Sequence, residues 1–184
     1  MSKLGASPTV RPAAEADGPP PSEQALVSVF NELRDELVST LLFLLGNRDD
    51  AQDAAQDAFL KCWRARASLT GVQNLRAWIF RVGLNAAKDM QRSAWNRKSR
   101  SFVGDEIMLV GRETAPSEHL EDQECLDRLR KAILDLRHEE KEVFLLRQNG
   151  GLTYEQIAEI RNAPVGTVKT QMRSALIKLR KVLN

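Results

Sequence analysis

The sequence predicts an all-α protein: two small helical domains joined by a flexible linker, the C-terminal one a helix-turn-helix. Three observations carry that prediction. Through most of the 184 residues, apolar side chains recur at three- and four-residue spacing, the period of one helix face, and strand-like alternation is absent. Between Asn96 and His119 the period fades into RKSRSFVGDEIMLVGRETAPSEH, whose glycines, proline and mixed charge read as a linker. Near the end, LTYEQIAEIRNAPVGTVKTQMR sets two short helical runs on either side of a tight corner.

The elements follow in order. Residues 1–22, SPTVRPAAEADGPPPSE and its flanks, are rich in Pro, Ala and small polar residues, without the apolar surface needed to offset ordering entropy. They read as a flexible tail. Leu26, Val29, Phe30, Leu33, Leu37, Leu41, Leu44 and Leu45 then mark one helix, closed by Gly46. Asp49 and Asp50 suit the N-terminus of the next, which carries Ala51, Ala55, Ala58, Phe59, Cys62 and Trp63. After the turn residues SLTGVQN, a third helix runs through Leu75, Trp78, Ile79, Val82, Ala86 and Met90, with Arg76, Arg81, Asn85, Lys88 and Arg92 on its other faces. The first domain is therefore 23–95 and the linker 96–119. In 120–184, Leu126, Leu129, Ile133 and Leu136 restart the helical period, and Val143, Phe144 and Leu146 continue it up to NGG. Thr153 and Gln156 have capping-box spacing, with Ile157 and Ala158 turned inward. Asn162 can supply a left-handed residue at the corner, and Pro164 suits the first turn of the last helix. That helix shows Val165, Val168, Met172, Ala175, Leu176, Leu179 and Leu183 on one side, and Lys169, Thr170 and Arg173 opposite.

Charge is striped rather than extreme. The formal net charge is only +2, yet from Lys61 to Arg100 many bases face the single acid Asp89. From Asp105 to Asp127 the balance reverses, and after Glu159 no acid occurs. An acid on a helix that enters the major groove would repel the flanking phosphates, so the acid-free last helix reads as a DNA-reading one. Cys62 and Cys125 are too few for a disulfide framework or a zinc site and read as buried reduced thiols of a cytosolic protein. The start lacks the pattern of a secretory signal, and LVSTLLFLLG is too short to span a membrane, so membrane insertion is not expected. His119 and His138 lie near Glu118, Glu139 and Glu140 without one-face ligand spacing, and no phosphate loop or nucleophile motif occurs. Catalysis, a metal and a cofactor are therefore not expected.

Three segments in this order resemble the sigma factors of bacterial RNA polymerase, of the extracytoplasmic-function type. DAQDAAQDAFLKCW is similar to the family pattern through Asp53, Gln56, Asp57, Phe59 and Trp63; AWIFRVGLNAAKDMQR through Trp78, Ile79, Val82, Asn85, Asp89 and Arg92; and GLTYEQIAEIRNAPVGTVKT almost throughout. The chain departs from the family where it has Gln171 and Ser174, since arginines are common there, and where Leu136-Arg137 replaces a Leu-Pro helix start.

The resemblance implies a division of roles. Asp53, Gln56 and Asp57 would bind the polymerase clamp, although Asp57 also stands one turn from Lys61. The loop residues Leu69, Gly71, Gln73 and Asn74, with Asn85, Lys88 and Arg92, would bind the minus-ten element. Trp63 and Trp78 occupy apolar positions and read as core. Thr153, Tyr154, Gly166, Thr167, Lys169, Thr170 and Arg173 would bind the minus-thirty-five element, the same domain meeting the polymerase flap. The linker would follow the RNA path. Core RNA polymerase and promoter DNA are the partners implied, and many family members are also held by an anti-sigma factor. The competing class is an operator-binding helix-turn-helix regulator, which would need a sensor in place of the basic-aromatic first domain.

Overall fold

A computed structural model describes residues 22–68, 72, 74–98 and 120–183, and among these it is helical with no strand. The first unit holds α1 (Glu23–Leu45), α2 (Arg48–Ala65), a 3-10 turn (Arg66–Ser68) and α3 (Leu75–Lys98). The second holds α4 (Leu120–Leu134), α5 (His138–Gln148), α6 (Tyr154–Arg161) and α7 (Val165–Leu183). The expected tail lies outside the described residues up to position 21. Ser22 lies within them: its hydroxyl accepts the Ala25 N–H at 3.1 Å and caps α1. Helix α3 runs to Lys98, three residues past the expected end of the first domain at 95. The remaining linker residues, 99–119, lie outside the description.

Each helix ends where its sequence allows. Gly46 takes φ 75° and returns its N–H to Leu42 O, a left-handed close that costs a glycine little. The Asn47 side chain accepts the N–H groups of Asp49 (2.8 Å) and Asp50 (3.3 Å), starting α2. Thr153 and Gln156 form the reciprocal capping box, at 3.2 and 2.9 Å. Asn162, at φ 51°, is the one non-glycine residue with positive φ among those described, and it turns the chain from α6 into α7.

The three helices of the first unit pack pairwise, and α7 packs on α4, α5 and α6 in the second. Gly83 permits the closest approach of α3 to α1: a Cβ there would lie 2.8 Å from Leu37 Cδ1. Leu26, Leu33, Leu37, Leu41, Ile79, Phe80 and Leu84 are fully buried in the first core. Trp63 and Trp78 are only half-buried against it rather than within it, and Leu126, expected on the apolar face of α4, is exposed.

The two units also pack against each other, which the sequence did not foretell. The buried cluster of the first unit continues into Val143, Leu146, Leu152, Ile157, Val168 and Met172 of the second. A smaller cluster of Ala132, Ile133, Leu136, Leu145, Ala175 and Leu179 is covered by Phe43 and Leu44 of α1. Polar contacts cross the same seam: Asn149 Nδ2 donates to the buried Thr40 Oγ1 at 3.2 Å, and Arg76 Nη1 donates to Gly150 O at 3.2 Å.

Candidate nucleic-acid interface

The outer face of α7 is built by its own apolar face. Val168, Met172, Ala175 and Leu179 are buried, which turns Gly166, Thr167, Lys169, Thr170 and Arg173 to solvent. Thr170 donates its hydroxyl proton to Gly166 O at 2.9 Å, leaving lone pairs and a methyl group for a DNA partner. Lys169 Nζ lies 5.9 Å from the centre of the Tyr154 ring, and the Arg147 guanidinium lies 5.2 Å from the same ring. Tyr154 thus groups with Lys169 across the α6–α7 corner. Thr153 is exposed beside it, its hydroxyl committed to the cap. All seven residues expected at the minus-thirty-five surface therefore lie in the two helices of the motif or at their starts.

On α2, Asp53 and Gln56 are exposed, while Asp57 is half-exposed and pairs with Lys61 at 2.8 Å. Lys61 also lies 3.7 Å from Asp89 of α3. Such pairs in water hold little free energy, about 0.3 to 0.5 kcal/mol on a helix, so Asp57 can exchange Lys61 for a partner's base cheaply.

The third expected surface is only partly described. Leu69, Gly71 and Gln73 lie outside the described residues. Asn74 is the cap of α3, its Oδ1 accepting the Ala77 N–H at 2.9 Å, which leaves its amide N–H2 and one lone pair of Oδ1 for a base. Asn85 and Arg92 are exposed on α3. Lys88 is not free: its Nζ lies 2.9 Å from Glu142 Oε1 across the seam.

Two carboxylates of α5 were missed as organising residues. Glu142, 4% exposed, holds Lys88 on one oxygen and Arg161 Nε, at 2.9 Å, on the other. Burial raises its pKa, but the two cations outweigh burial and leave it lowered. Glu140, 1% exposed, meets Lys178 Nζ (2.6 Å), Ser174 Oγ (2.8 Å) and Arg137 Nη2 (2.8 Å). Burial again opposes ionisation, and the hydrogen bonds from Lys178, Ser174 and Arg137 overcome it, holding the carboxyl at about 2. A signal existed in the sequence: Glu140 stands three and four residues before Val143 and Phe144 of α5, so it lies on that helix's apolar face, where only a paired acid fits.

Comparison with known proteins fits this geometry. Residues 29–97 match the Sigma-70 region 2 family and residues 126–179 the Sigma-70, region 4 family. The chain is 30% identical to the ECF RNA polymerase sigma-E factor of Escherichia coli K12, over 67% of this chain and 68% of that protein. It is 29% identical to the sigma-E factor of Haemophilus influenzae, over 73% and 75%. A crystal structure of the sigma factor RpoE with the anti-sigma factor NepR from Bartonella quintana superposes with a TM-score of 0.70 at 26% identity, covering 88% of this chain and 95% of that one.

Proposed function

The chain belongs to the extracytoplasmic-function sigma factors of bacterial RNA polymerase, and from that premise we propose how its surfaces divide the work of promoter recognition. Sigma factors of this family bind core polymerase and take it to promoters; the placement of each step on this chain is our reading. Residues 23–95 engage the clamp through Asp53, Gln56 and Asp57, and the minus-ten element through the loop at 69–74 with Asn85, Lys88 and Arg92. Residues 120–184 engage the minus-thirty-five element through the outer face of α7 with Thr153 and Tyr154, and the same unit meets the flap.

The observation that supports this reading most is the outer face of α7, where Lys169, Thr170 and Arg173 stand exposed on a helix whose opposite side is core. Arg173 can donate two hydrogen bonds to a guanine edge, and Lys169 can neutralise a phosphate. The operator-binding alternative gives way to family membership, since a regulator of that kind has no need of a region 2 unit. An anti-sigma factor is a further proposed partner, as RpoE of B. quintana has in NepR. No helix among the described residues is long and apolar enough to cross a membrane, and the chain acts beside the polymerase in the cytoplasm. Nucleotide addition belongs to the core enzyme.

Two experiments test the first unit. Reversing charge at Asp53 and Asp57 together is expected to weaken capture of core polymerase while leaving helicity intact. Full capture by the folded double variant would move the clamp contact elsewhere. Exchanging 69–74 for a Gly/Ser segment is expected to preserve that capture and abolish permanganate reactivity of promoter thymines, and unchanged reactivity would remove the loop from the melting step.

A further inference from the structure

Two of the departures from the family pattern meet in one place. Ser174, standing where arginine is common, is turned inward: its Oγ donates to Glu140 Oε1 at 2.8 Å. Arg137, standing where proline is common, brings Nη2 and Nε to 2.8 and 3.1 Å from the same oxygen and its backbone N–H to 3.3 Å from Oε2. A proline there would offer neither the guanidinium nor the N–H. Lys178 Nζ completes the set at 2.6 Å from Oε2. The remaining departure behaves alike, since Gln171 accepts a hydrogen bond from Arg161, which in turn holds Glu142. Gln171, Ser174 and Lys178, spaced by three and four, thus form a polar stripe of α7 turned toward the two buried carboxylates of α5. Lys169, Thr170 and Arg173 occupy the stripe that faces solvent.

Interdigitated apolar side chains already resist rotation of a helix by their shape, and directional hydrogen bonds add a constraint that is sharper in angle and distance. A helix with its side chains is about 5 to 6 Å in radius, so turning it by about 20° carries side-chain tips roughly 2 Å. Charge-assisted hydrogen bonds near 2.8 Å do not survive such a shift. A purely stabilising contact could equally be apolar, since buried ion pairs are often replaceable without loss of stability.

We propose that Glu140 is a positioning residue for promoter recognition: gripping Ser174 and Lys178 from the start of α5, it fixes the rotation of α7 and so decides which base Arg173 meets. Ser174 is then an anchor and not a reader. The inference rests on the assignment of the outer face of α7 to the minus-thirty-five element.

The test is selection of minus-thirty-five sequences by reconstituted holoenzyme carrying the wild-type chain, Glu140→Gln, Ser174→Ala, Ser174→Thr or Arg173→Ala, with thermal unfolding of each chain in parallel. Glu140→Gln and Ser174→Ala are expected to lose discrimination at the base that Arg173→Ala also affects, by roughly fivefold or more. Ser174→Thr, which keeps the hydroxyl, should restore the wild-type preference. Ser174 is half-exposed, so Ser174→Ala carries the test even if Glu140→Gln fails to fold. Wild-type preference in both Glu140→Gln and Ser174→Ala, with Arg173→Ala still altered, overturns the positioning role and leaves the face assignment standing. Unaltered preference in Arg173→Ala as well would remove the face assignment too. A change in Ser174→Ala without one in a folded Glu140→Gln would make Ser174 itself a reader, and also overturns the proposal.

Discussion

Neighbouring side chains on one helix can differ in what they measure. Replacing Arg173 with Ala should change which minus-thirty-five base is preferred, a loss of about 1 to 3 kcal/mol of discrimination, whereas Lys169→Ala should weaken binding evenly across sequences and lower the salt slope by about one. Affinity measured against salt and sequence separates the two. The thiols divide as sharply. Burial pushes the Cys62 thiol up to about 12, while Cys125 is half-buried. Since the thiolate is the nucleophile, a disulfide reagent at pH 8 should modify Cys125 in the native chain and reach Cys62 only after denaturant. At this scale the sequence was legible wherever one residue answers one backbone demand: Gly46 and Asn162 occupy the left-handed positions expected of them. It was illegible for Cys125, because burial there depends on how much of α4 its neighbours cover, and periodicity within one helix carries no record of that.

Helix α5 holds acids that serve the helices around it. Its Glu140 has a folded pKa near 2, against an ordinary value of 4.5. A lowered carboxylate contributes stability that is fully present above the ordinary value and is lost as the pH falls from about 4.5 toward 2. The contribution is no more than about 3 kcal/mol, less what solvent removes by screening the exposed Arg137 and Lys178. Denaturant unfolding should therefore show wild type more stable than Glu140→Gln at pH 7, with the gap closing by pH 2.5. At the other side of the motif, Thr153→Ala should cost about 1 kcal/mol through loss of the cap, read in the same experiment. Capping boxes are legible because both partners lie within four residues. The grip on α7 is not, because Ser174 and Lys178 reach Glu140 from 34 and 38 residues away, and nothing local marks a serine as facing inward.

In the whole molecule, the order of the helices and the split into two units could be read from periodicity and from its loss in the linker. The packing of the units on one another could not, since Leu44, Val143 and Leu146 look like ordinary core residues of two separate bundles. The seam also changes the reading of Lys88, a basic residue on the helix expected to meet the minus-ten element, whose charge is here taken by Glu142. Lys88→Ala combined with Asn149→Ala should loosen the seam, raising the radius of gyration in X-ray scattering while each unit keeps its helicity, and an unchanged radius would mean that the apolar contacts alone hold it. Tethering gives that carboxylate a standing advantage over any phosphate from outside, because a group on the same chain acts at an effective concentration of the order of millimolar. On the proposed minus-ten assignment of Lys88, promoter DNA would have to compete with a resident anion. If about 1% of chains were open at Lys88 at any moment, the apparent affinity of that surface for a phosphate would fall about a hundredfold below its intrinsic value, and any partner that held the two units apart would raise it again without making a single new contact to the DNA.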